Sequence, residues 1–178
     1  MNEKDPFIIA LDKGIFLFGG VFLGIGCFVS ERALSLHREH LASLSARKRM
    51  GMQAADLDAL IRSHEVYFSS FRKERVRCAR VTAAYGSENA FAFALKEYAA
   101  AKGACFLYIY PLRRFPFVGF SSNERDAFRA LLCIDLFEHA YFHDYGFDRE
   151  SYLLAAISHL DLSVLDKDFC EKRRKREE

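Results

Sequence analysis

A chain of 178 residues, 51% of them hydrophobic, can build one domain with a substantial core and a short appendage, which excludes two full domains. Its 26 basic and 24 acidic residues leave a formal net charge of +2, too near balance for a global electrostatic case, so no nucleic-acid partner is expected. The five cysteines (Cys27, Cys78, Cys105, Cys133 and Cys170) are odd in number and show no Cys-x-x-Cys spacing, which argues against a disulfide framework or a zinc knuckle and for buried, reduced thiols.

The first element is apolar. GIFLFGGVFLGIGCFV, Gly14 to Val29, runs for sixteen residues without a charge. As a helix it reaches roughly 24 Å, and counted from Phe7 to Ser30 roughly 36 Å, against a hydrocarbon core of roughly 30 Å. Residues 7–30 are therefore expected to form a single membrane-spanning helix that runs straight into the next one. Asp12 and Lys13 form an adjacent opposite pair, and Lys13 can snorkel to the headgroups. Gly20 and Gly24 make a G-x-x-x-G face, expected at an interface with another helix. Basic residues after the run (Arg32, Arg38, Arg47, Lys48, Arg49) outnumber those before it (Lys4, Lys13), which keeps the body on the side of synthesis.

The body opens with helices. Glu31 to Leu44 places Ala33, Leu34, Leu36, His37, His40, Leu41 and Leu44 mainly on one face. Ala54 to Val81 reads as a second helix, with Leu57, Leu60, Ile61, His64, Tyr67, Phe68 and Phe71 at helical spacing. A third spans Asn89 to Ala101, capped by Ser87 and stopped by Gly103. Then the texture becomes β-like: Ala104 to Leu112, a second strand in RRFPFVGF bounded by Pro116 and Gly119, and a third in ALLCIDLF whose end carries Asp135. Helix returns in EHAYFHDY and RESYLLAAISHLDLSVLD. Helices, a small antiparallel sheet, then helices make an α+β arrangement.

Asp135 and His139 stand four apart, a carboxylate and an imidazole that can converge on one metal where strand gives way to helix. Their surroundings are more specific. DLFEHAYFHDYGFDRESYLLAAISHL resembles the C-terminal signature of iron/manganese superoxide dismutases, through Asp135, Glu138, His139, Ala140, Tyr141, Tyr145, Arg149 and Tyr152. SHEVYFSS, Ser63 to Ser70, is similar to the family segment that places a metal-ligand histidine at His64. GSENAFAFALKEYAAA and GACFLYI resemble its next helix and strand, so the likeness covers residues 31–165. The resemblance implies a superoxide dismutase-like fold behind the anchor, with an anchor at 1–30, the dismutase-like domain at 31–165 and a charged tail at 166–178.

It also implies a metal set of His37, His64, Asp135 and His139, with His40 the alternative to His37. Iron or manganese is the metal such a set would take. Several departures point to a vestigial site with no bound cofactor and no catalytic residue. The family's solvent-tuning glutamine is missing, with Leu60 at one of its positions, Ser121, Ser122 and Asn123 in the segment of the other, and the only glutamine at Gln53. Phe68, Phe106, Tyr108 and Phe137 take the places of tryptophans. Phe142 replaces a tyrosine that crosses the dimer. Glu138 is implied as a dimer-interface residue, and His143 and His159 match no ligand position and are expected at the surface or an interface. Together these features point to a catalytically inactive, dismutase-like accessory subunit of a mitochondrial inner-membrane complex, such as a respiratory-chain complex, with that complex's other subunits as partners. An active, membrane-tethered dismutase is the alternative. A mitochondrial ribosomal protein, suggested by the tail EKRRKREE, is the third.

Overall fold

The computed structural model describes residues 24–51, 55–74 and 77–166. Residues 7–23 with Gly20, the loop residue Gln53 and residues 167–178 of the charged tail lie outside the described residues. Among the described residues no helix is long and apolar enough to cross a membrane.

Helix α1 spans Glu31–Arg49 and begins at an extended Ser30, whose hydroxyl accepts from Ala33 N. An extended cap interrupts helix, so the apolar run does not continue into α1. Gly24 to Ser30 instead belong to the body. Ile25–Cys27 form a 3-10 turn, Ile25 and Val29 are buried, and Tyr145 Oη donates to Phe28 O at 2.6 Å. Gly24 makes a close approach within the chain, where a Cβ would lie 2.2 Å from Arg72 N. On α1 itself, Leu36 departs from the expected face and is 50% exposed.

The long second helix of the sequence divides into α2, Ala55–Ser69, and α3, Ala79–Tyr85. Tertiary bonds break it. Ser70 Oγ donates to Val66 O and accepts from Cys133 N, Phe71 bridges to Leu160, and Arg72 N donates to His159 O at 2.8 Å. A continuing helix would forfeit these bonds. Helix α4, Glu88–Lys102, has the expected ends, with Ser87 Oγ accepting from Ala90 N and Gly103 in the left-handed region at φ 54°.

Strands β1 (Phe106–Pro111), β2 (Val118–Ser121) and β3 (Leu132–Asp135) form an antiparallel sheet in the order β2-β1-β3. Phe106 pairs with Asp135 and Tyr108 with Cys133, which sets an aromatic ring beside the carboxylate. Helices α5 (Glu138–Tyr145) and α6 (Arg149–Ser158) follow, and α6 ends before the Leu160 bridge, earlier than its pattern suggests. Asp166 was expected in the tail, yet its carboxylate accepts from Ala79 N and Arg80 N at the start of α3. Buried Arg80 donates from Nη1 to the carbonyls of Leu112 and Phe117, bracing the β1–β2 hairpin.

Candidate metal centre

Four elements converge on one point. α1 contributes His37, α2 His64, the end of β3 Asp135 and the first turn of α5 His139, and their donor atoms all lie within 4.8 Å of one another. His37, His64 and Asp135 are fully buried, while the His139 side chain is 31% exposed. His40 does not join the donors. Its ring stacks on that of His139 with centroids 4.4 Å apart, so the alternative between His37 and His40 falls to His37.

The carboxylate is held from two sides. Asp135 Oδ1 accepts from Phe137 N at 2.9 Å, and the Asp135 carbonyl accepts from Tyr152 Oη at 2.8 Å. Oδ2 is thereby left facing the Nε2 atoms of His37, His64 and His139 at 3.1, 3.4 and 3.0 Å. Burial alone would push the Asp135 carboxyl up, but hydrogen bonding and charge from His139 and His37 outweigh it and hold it below the usual carboxylate range.

The histidine protons decide what this cluster can hold. His64 Nδ1 lies 2.7 Å from the Leu60 carbonyl, which can only accept, so Nδ1 carries the proton and Nε2 presents a lone pair. That lone pair faces Asp135 Oδ2 at 3.4 Å and His139 Nε2 at 3.3 Å, so either a proton carried on His139 Nε2 or a cation lies between these acceptors. His37 Nε2 is buried 3.1 Å from Oδ2, close enough to interact with the carboxylate but outside regular hydrogen-bond geometry. Three imidazoles and one carboxylate, one imidazole oriented by a backbone carbonyl, fit iron or manganese.

Burial pushes the His64 imidazolium down to about 4, against the raising effects of Asp135 and the Leu60 bond. Above pH 6.5 this group is neutral in both folded and unfolded chains. Below that the unfolded chain takes up a proton that the folded one refuses, so stability falls with pH until about 4. The metal-free protein is expected to lose on the order of 3 kcal/mol from His64 across this window. Urea titrations of chelator-treated protein at pH 7 and pH 4.5 measure it, and equal midpoints would refute the assignment.

The walls are aromatic. Tyr67 and Phe68 border His37 with centroids at 4.9 and 5.0 Å, Phe106 borders His64 at 5.5 Å, and Phe137 stacks on His139 at 5.6 Å. Tyr108 stands farther back, 2.7 Å from Ser63 Oγ. Leu60 offers an alkyl chain, and Ser121 Oγ and Asn123 Oδ1 are used in a local turn. Sequence reasoning placed Tyr67 only on an apolar face, yet its hydroxyl meets that of Tyr152 at 3.1 Å, continuing the chain of bonds to Asp135. Its position three residues after His64, on the same side of α2, was the available signal.

A family model described as iron/manganese superoxide dismutases, C-terminal domain, matches residues 73–168. The chain belongs to the iron/manganese superoxide dismutase family. None of the curated proteins compared with it matches. Asp135 and His139 lie inside the matched stretch, whereas His37 and His64 precede it and reach the dismutase-family site through the fold. A hollow of about 580 Å³ lies beside His139, lined by Cys105, Glu138, Tyr141 and Arg149 among others. Glu138 is exposed at the first position of α5, and His143 is exposed. His159 is only half-exposed, stacked on Phe28 at 5.3 Å.

Proposed function

We propose that this chain is a dismutase-fold accessory subunit of a mitochondrial inner-membrane complex, one that keeps an iron or manganese centre and turns superoxide over slowly. The observation that supports a retained metal is the convergence of the Nε2 atoms of His37, His64 and His139 on Asp135 Oδ2, with the His64 ring oriented by Leu60 O. When bound, the metal would supply the one-electron redox change by which superoxide is alternately oxidised and reduced. Asp135 would supply the compensating negative charge, His64 a neutral ligand oriented by Leu60 O, and His139 the most exposed of the four ligands. Slow turnover is supported by the wall formed by Phe68, Phe106, Phe137 and Leu60, which offers no polar group to hold or relay a proton, the Tyr67 hydroxyl being engaged with Tyr152. Membrane attachment is supported by the apolar run before Gly24, and exposed Glu138 is available to a second copy or another subunit.

Elemental analysis of the detergent-purified full chain should find close to one iron or manganese per chain, absent from His64→Ala. Dismutation should run about 10–100-fold below a glutamine-bearing family member assayed alongside. Absence of metal from the parent protein would end the metal reading. Equal activity would favour the second reading, a working membrane-tethered dismutase, for which the complete donor set is the favourable observation. Co-purification with a respiratory complex in mild detergent tests the assembly, and failure to co-purify would count against it.

A further inference from the structure

The β1–β2 hairpin carries a surface that the metal centre does not use. Its tip reads Leu112-Arg113-Arg114-Phe115-Pro116-Phe117. Leu112, Phe115 and Phe117 are 42%, 43% and 49% exposed, and Arg113 and Arg114 are exposed between them. Among the described residues neither arginine has a carboxylate partner, although the molecule pairs many of its other surface cations, such as Lys48 with Asp58 and Lys96 with Glu150. The tip is also preorganised. Leu112 N donates to Phe117 O and Phe117 N to Arg114 O, buried Arg80 bonds the carbonyls of Leu112 and Phe117, and its guanidinium lies 5.2 Å from the Phe115 ring centroid. Little conformational entropy remains to be lost on binding.

We propose that this hairpin is a membrane-contact finger for anionic phospholipid, with Arg113 and Arg114 on the phosphates and Leu112, Phe115 and Phe117 at the acyl boundary. The arginine fork matches phosphate oxygens, and aromatic and aliphatic side chains lodge where headgroup meets hydrocarbon. Size favours lipid over protein. Six residues cover roughly a few hundred Å², well under the roughly 1,000 Å² of a stable protein interface, whereas a lipid surface needs only a few cations and apolar side chains. The finger is a contact additional to the apolar run before Gly24 and does not depend on it.

The chain contains no tryptophan, so Phe117→Trp in the full-length protein supplies a sole reporter. The protein is mixed with phosphatidylcholine vesicles, with or without phosphatidylserine, that carry lipids brominated near the headgroup. Blue-shifted emission quenched by the brominated lipid is expected in the phosphatidylserine vesicles. Reversing both charges (Arg113→Glu with Arg114→Glu) should weaken that association about tenfold or more while leaving the melting temperature unchanged. Emission that stays unshifted and unquenched in anionic vesicles would overturn the proposal, as would equal quenching in the charge-reversed protein. A blue shift that grows with protein concentration in the absence of lipid would assign the finger to a second copy and also overturn it. Flotation with neutral vesicles reads the apolar run separately, so the two membrane contacts can fail independently.

Discussion

Replacing Asp135 with alanine is expected to abolish metal binding and to destabilise what remains. Asp135 is the only carboxylate in the donor set, and its Oδ2 is the atom that all three imidazoles face at 3.0–3.4 Å. Losing groups that merely orient a ligand costs about 10–100-fold in affinity, so losing the anionic ligand should cost more than about a hundredfold. The metal-free protein suffers as well. Phe137 N loses its acceptor at the start of α5, an unmet bond of about 1–3 kcal/mol, and the imidazole nitrogens facing Oδ2 lose their polar partner. Asp135→Asn separates the two effects, because its amide oxygen keeps the Phe137 bond while the charge is gone. It should retain most of the metal-free stability and still bind metal poorly. Calorimetric titration with manganese and thermal melts of chelated protein measure both. Parent-like affinity in Asp135→Ala would remove this carboxylate from the site.

The second large effect lies far from the metal. Gly24→Val should destabilise the folded body by about 3 kcal/mol or more, because the new Cβ would meet Arg72 N at 2.2 Å and Phe71 C at 2.3 Å. Both are backbone atoms, and neither can swing aside as a side chain could. To relieve the contact the chain must release the Phe71 to Leu160 bridge or the bond from Arg72 N to His159 O. Hydrogen exchange at Arg72 should accelerate, and the urea midpoint should fall. If Gly24 served only a helix contact in lipid, neither would change in detergent.

The motif around Asp135 was legible because its residues are close in sequence and their spacing carries the geometry. Asp135 ends β3, His139 lies in the first turn of α5, and strand followed at once by helix turns both inward. Ser87 and Gly103 were legible for the same reason, since caps are local chemistry. The choice between His37 and His40 was not. Three residues apart, they share one face of α1, and only the seating of α1 against α2 and α5 puts His37 among the donors and His40 on top of His139.

Composition by itself marked the stretch ending at Ser30 as apolar, but did not say what its side chains would pack against. Ile25 and Val29 are as well matched to a protein interior as to lipid, and the tertiary structure buries them in the core. Periodicity likewise proposed one helix from Ala54 to Val81, because a helical pattern cannot register bonds made to distant chain. Cys133 and Leu160, more than sixty residues away in sequence, take the partners that end it near Ser69. Residue types and short spacings thus determined the family and the ligand chemistry. Long-range packing decided which histidine reaches the centre, where α2 ends and where Ile25 and Val29 are buried, because each depends on contacts between segments that the sequence order keeps apart.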